Sequence, residues 1–331
     1  MRILVLRPGA LGDVLLTLPA LRALQSRFPG ASIEVMGNLS VLGLLPSRSV
    51  VSAVSSFDRV DLTGLFQPEG EPCESLRSYL DAFGLVLSYA TAAGHVFAHN
   101  LERVLGGRVR SFDPRPVPGS GMHMTEHLQQ PLREMGVPVC TEPPRLSPTE
   151  SDRQDAAQWW EDHGLGDASA VAIHPGSGSA AKNWPAQRFA EVASHLHHRG
   201  WRILLIRGPA DDLAAGEVQQ ALDDQEHVLL DNLPLHLLAA ILALCATTVG
   251  NDSGVSHLSA AVGAATVVVF GPTDPQVWAP RGVHVRVVRG SAVCAPCSWG
   301  EQQSCRQSDC LETVSVEAVL RTIDDLCHNV R

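Results

Sequence analysis

The sequence predicts an α/β protein made of two doubly wound, parallel-sheet halves. Three observations carry this. Apolar segments of strand length alternate with segments of helical periodicity, most strictly in the second half. A chain of 331 residues suits two domains of ordinary size. Val137–Pro148 (VPVCTEPPRLSP) holds four prolines in twelve residues, a poor helix or central strand but a good semi-rigid linker. The halves are therefore drawn at 1–148 and 149–331, with a hinge that would leave a cleft between them.

In the first half, Ile3 to Leu6 reads as a strand, followed by a tight turn from Pro8 to Gly12. A helix is expected from about Asp13, with Val14, Leu18, Leu21 and Leu24 at helical spacing and a kink at Pro19. Ile33 to Met36 and Leu85 to Leu87 are further strands. Residues 37–80 and 90–125 are rich in Gly, Pro and Ser and give no clear period. A helix at Thr149 to His163 precedes the regular part. There, strands at Val171–Ile173, Ile203–Ile206, Val228–Leu230, Thr247–Val249, Thr266–Phe270 and Val285–Val288 are expected. The helices between them are Pro185–His198, Asp212–Leu222, Leu235–Cys245 and Val255–Val262. Such sheets bind ligands in the loops at the carboxyl ends of their strands.

Composition narrows the function. The formal net charge of −10 argues against a nucleic-acid backbone binder and a polybasic membrane anchor. The N-terminal MRILVLRPGALGD has too short an apolar core for a signal peptide, and no apolar run approaches the ~20 residues of a membrane-crossing helix. The expectation is a cytoplasmic protein with reduced thiols.

Three strand-end loops combine small residues with charge. In RPGALGD (Arg7 to Asp13), Asp13 suits either a helix cap or a general base. In HPGSGSAAKNWP (His174 to Pro185), Gly176, Ser177, Gly178 and Ser179 offer backbone and hydroxyl donors, and Lys182 follows. That set suits a diphosphate, and equally a solvated Ser/Gly loop with a surface lysine. The spacing is not that of a P-loop, and no G-x-G-x-x-G follows the first strand. In GNDSGVSHLSAA (Gly250 to Ala261), Asp252 and Ser253 sit where a helix should start, with His257 a turn later. A second polar turn, FGPTDP, lies after the next strand, and two polar turns at adjacent strand ends look like a built site.

Together these pieces resemble glycosyltransferase family nine, the ADP-heptose:lipopolysaccharide heptosyltransferases. The match lies in RPGALGDVLLTLPALRAL, IHPGSGSAAKNWPAQRFAEVA and VGNDSGVSHLSAAVGAATVVVFGPTDPQVWAP, in family order. The resemblance implies a GT-B fold of two Rossmann-like domains facing a central cleft, the acceptor on the first and the nucleotide sugar on the second. It implies an inverting, metal-independent transfer of heptose from an ADP-heptose-like donor to a lipopolysaccharide-core or other glycan hydroxyl. Asp13 would be the base, next to Gly12 on the acceptor side. Lys182 would meet the diphosphate, with Ser177, Gly178, Asp252, Ser253, Gly254 and His257 around the donor and Asp211 near the nucleoside. The acceptor would be lipid-linked or an oligosaccharide at the inner membrane face, and the enzyme a monomer. No Asp-x-Asp pair of the metal-dependent kind stands out. A sugar-nucleotide epimerase of the same fold, or a non-catalytic sugar-nucleotide binder, are the competing readings.

Eight cysteines are present, and Cys294, Cys297, Cys305 and Cys310 fall within seventeen residues. They suit either one structural zinc or a set of reduced thiols. Cys73, Cys140, Cys245 and Cys327 are expected to pack.

Overall fold

The fold is described by a computed structural model covering residues 1–90, 95–117, 119–223, 225–298, 300–301, 305 and 308–328. The chain divides into two compact units, Met1–Leu146 and Ser147–Arg331.

In the first unit β1 (Arg2–Leu6) is followed by α1 (Leu11–Arg27), β2 (Ser32–Gly37), β3 (Ala53–Ser56), α2 (Glu74–Asp81), β4 (Leu85–Ser88), α3 (His95–Leu105) and β5 (Val109–Ser111). The five strands form one parallel sheet in the order β3-β2-β1-β4-β5. Register places Ile3 between Ile33 of β2 and Leu85 of β4. Ile3 to Leu6 are buried because helices cover both faces, which is why β1 reads as an unbroken apolar run. Leu4, Leu6, Phe83, Val86, Phe97 and Leu101 belong to one core cluster. The helix α1 starts two residues earlier than expected and runs unbroken through the buried Pro19.

The second unit opens with α4 (Glu150–Asp162), whose N-cap Thr149 accepts from the Asp152 amide while Asp152 reaches back to the Thr149 N–H, a reciprocal cap. Then follow β6 (Ala170–His174), α5 (Ala186–His198), β7 (Arg202–Arg207), α6 (Asp212–Leu222), β8 (Val228–Asp231), α7 (Leu235–Leu244), β9 (Thr247–Asn251), α8 (Gly254–Ala261), β10 (Thr266–Phe270) and β11 (Val285–Arg289). All six strands are parallel, in the order β11-β10-β9-β6-β7-β8. Counted from the first strand of the unit this is the doubly wound order 3-2-1-4-5-6. A last helix, α9 (Val316–His328), was not foreseen. It lays Val319, Ile323 and Leu326 into the same core as Phe189 and Val267.

Strand order reverses between β1 and β4 in one unit and between β6 and β9 in the other. At such switch points adjacent loops leave in opposite directions and open a crevice at the carboxyl ends of the strands. The three loops singled out in the sequence lie at or beside these two points.

Candidate active site

At the first switch point, Arg7 follows β1 and is 4% exposed. A buried guanidinium needs partners, and α1 supplies them. Its Nη2 donates to Asp13 Oδ1 at 3.1 Å and its Nε to Thr17 Oγ1 at 3.0 Å. Burial pulls the Arg7 pKa below its ordinary value, against the raising effect of Asp13. Asp13 Oδ2 in turn accepts the Ala10 amide at 3.0 Å. Asp13 therefore does close the first turn of α1, as its third residue and not as the N-cap. Its side chain keeps 38% of its surface in solvent, so it also remains open to a ligand. Gly9 makes this possible: its φ is +153°, and a Cβ there would lie 2.9 Å from Asp13 Oδ2. Gly12 lies in the same first turn, half-buried.

At the second switch point the loop after β6 is pinned at both ends to β9. Buried Asn251 donates from Nδ2 to the Pro175 carbonyl at 2.7 Å and accepts the Trp184 amide on Oδ1 at 3.0 Å. Trp184 anchors the far end, its indole donating to the Val314 carbonyl at 3.2 Å. Lys182 thus reaches Asp252 Oδ2 at 3.2 Å, and the Thr273 hydroxyl donates to the same oxygen at 2.7 Å. The FGPTDP turn enters the site through Thr273. Ser253 is the N-cap of α8, accepting the Ser256 amide, with Gly254 opening the helix and His257 buried on its next turn.

The remaining residues behave differently. Ser177 holds its own loop, its hydroxyl within reach of Ser179 O and Asn183 Oδ1, at 2.6 and 2.7 Å. Gly178 is exposed. Asp211 turns inward, its Oδ2 accepting the Gly208 amide and lying 3.0 Å from His174 Nε2. Burial raises the Asp211 pKa, but its hydrogen bonds, that to His174 first and that from the Gly208 amide with it, help bring the carboxyl below its usual range.

A structural zinc, one of the two readings of the cysteine cluster, finds no support in the structure. Among the described residues no three His, Cys, Asp or Glu are grouped to hold a metal ion. Cys310 is drawn into the core of the second unit, while Cys294 and Cys305 are exposed. Burial, then the charges of Cys297, Cys294 and Cys305, raise the Cys310 pKa.

The sequence model of glycosyltransferase family 9 (heptosyltransferase) matches residues 120–306. The chain belongs to this family. Among curated members it is 25% identical over 310 residues to lipopolysaccharide heptosyltransferase 2 of Escherichia coli K12, covering 87% of this chain and 88% of that one. The family 9 glycosyltransferase structure from Veillonella parvula superposes with a TM-score of 0.79 at 20% identity, covering 99% and 97% of the two chains. E. coli ADP-heptose lipopolysaccharide heptosyltransferase II gives 0.74 at 22% identity, covering 100% and 99%. These superpositions identify the fold as GT-B. Arg7, Thr17, His174, Asn251 and Thr273 hold the candidate residues or their loops in place and were not singled out by their sequence pattern. A charged or polar residue at the end of an apolar strand was the available signal for Arg7, His174 and Asn251.

Proposed function

We propose that this glycosyltransferase moves heptose from ADP-heptose to a hydroxyl of a lipopolysaccharide-core acceptor, with inversion at the anomeric carbon. One observation carries the reading: a solvent-facing carboxylate, Asp13, and the ammonium of Lys182 each stand at the switch point of a doubly wound sheet, on residues of the family's loops. The names of the curated relatives support the donor and acceptor classes.

Asp13 is the base. Arg7 and the Ala10 amide hold one side of each carboxylate oxygen, which fixes the rotamer and leaves further lone pairs to accept the acceptor's proton. The hydroxyl attacks the anomeric carbon from the face opposite the nucleotide, and charge accumulates on the departing diphosphate. Lys182, the Ser253 hydroxyl and the N-terminal amides of α8 meet that charge as preorganised donors. Gly178, Asp252, Gly254 and His257 line the same region, and Asp211 and Ser177 support it from behind. The chemistry needs no metal, and the enzyme acts as a monomer on a lipid-linked acceptor at the inner membrane face.

The deciding experiment incubates the protein with ADP-heptose, with and without lipopolysaccharide lacking heptose, and reads transfer and anomeric configuration. ADP release and an inverted glycoside only when acceptor is present are expected. An altered sugar nucleotide without acceptor would replace this reading with an epimerase.

A further inference from the structure

His174 ends β6 with 2% of its surface exposed, and both ring nitrogens are engaged. Nε2 lies 3.0 Å from Asp211 Oδ2 and Nδ1 lies 3.2 Å from Ser253 Oγ. The order is the reverse of a hydrolase triad, in which the carboxylate meets Nδ1 and the hydroxyl meets Nε2. The hydroxyl also accepts the Ser256 amide as the cap of α8, so it is held as a positioned donor and not as a nucleophile. The array is built in: a Cβ on Gly176 would fall 1.8 Å from Asp211 Oδ1.

An ionised carboxylate only accepts, so Asp211 keeps a proton on Nε2. Nδ1 is then the variable atom. With a neutral ring, Nδ1 accepts the Ser253 O–H and the hydroxyl proton points inward. With a charged ring, Nδ1 donates to Ser253 Oγ and the hydroxyl proton is released to another acceptor. A diphosphate is such an acceptor, and it leaves Nδ1 facing a lone pair unless the ring is charged.

We propose that His174 takes up one proton from solvent when the nucleotide-sugar diphosphate binds, and that the Asp211–imidazolium–Ser253 chain then turns the Ser253 hydroxyl onto the diphosphate. This deepens the donor assignment above and rests on it. Asp211 contacts the ring; the titratable groups next along the chain from Ser253 are Asp252, paired with Lys182, and His257 on α8. As charge grows on the leaving diphosphate, the Ser253 hydrogen bond strengthens. His174 is therefore a positioning residue, acting through Ser253.

Calorimetry of ADP-heptose binding at about pH 7.5, in buffers of different ionisation enthalpy, reads the proton directly. The diphosphate is esterified at both ends and has no proton to exchange there. Wild type should take up as much as one proton per site. His174→Gln keeps an amide within reach of Asp211 but has no atom toward Ser253, and should bind about tenfold more weakly with no uptake. Should that variant not fold, Ser253→Ala makes the same discrimination with the His174–Asp211 pair intact. Binding without uptake in wild type, or uptake persisting in the variants, overturns the proposal and leaves the donor assignment standing. A folded wild type that does not bind ADP-heptose overturns both.

Discussion

Asp13 shows how one side chain can close a helix turn and stay open to a ligand. Its Oδ2 closes the first turn of α1 while Arg7 holds its Oδ1. Asp13→Asn keeps the shape and loses the basicity, so turnover should fall about a hundredfold or more with ADP-heptose affinity nearly unchanged. Wild-type turnover would reduce Asp13 to a helix cap. Lys182 is the only lysine among the 25 lysines and arginines of the chain. Arginine serves all the others, and a compact ammonium is not interchangeable with its planar fork. Lys182→Ala should weaken ADP and ADP-heptose binding, and kcat/KM should fall further than ADP-heptose affinity because the diphosphate carries more charge in the transition state than in the bound donor. Lys182→Arg should rescue little of it, since a planar, delocalised guanidinium does not replace a compact ammonium paired with Asp252. Equal ADP affinity in all three proteins would remove Lys182 from the site. These residues were legible in the sequence because charge beside small residues after a strand is unusual. Arg7 and His174 were not, because whether a polar side chain at a strand end turns inward depends on loops far away in sequence.

At the scale of elements, the loop after β6 depends on Asn251. Asn251→Ala leaves the buried Trp184 amide and Pro175 carbonyl without partners, at a cost of about 2–3 kcal/mol. Urea unfolding should report that loss, with weaker nucleotide binding as the loop loosens; unchanged stability would mean that neither group depends on Asn251. The second sheet was readable strand by strand because parallel strands buried on both faces are continuous apolar runs, as in TVVVF of β10. Residues 37–80 and 90–125 were not. Here β3 is AVSS, half-buried along its length at a sheet edge, and β5 has three residues. With so few buried side chains, neither gives a period to read. The helix α2 is amphipathic but only eight residues long, burying Leu76 and Leu80 one turn apart, so its period is short. By contrast α9 buries Val316, Val319, Ile323 and Leu326 at clear helical spacing, a signal present in the sequence but not used.

For the whole molecule, acid should matter through Asp211. Its pKa lies below the usual carboxylate range, so its contribution is complete above about pH 4. The contribution is lost as pH falls through the lowered value. Asp211→Asn should lower the melting temperature at pH 7, and the gap to wild type should close in acid below about pH 4. A gap independent of pH would mean that the carboxylate charge contributes nothing. Chelators should leave the melting temperature unchanged, and elemental analysis should find no zinc, because among the described residues no three metal-ligating side chains are grouped.

A chain with a single lysine carries one ε-amino group, and that group sits in the loop after β6 with 21% of its side chain exposed. Amine-selective reagents therefore become site-selective labels. Apart from the N-terminus of the chain, reductive methylation or acylation has one target, and one mass increment on one peptide reports whether it is covered. Bound nucleotide sugars could be ranked by the protection they give, with no enzymatic turnover and no acceptor in the tube.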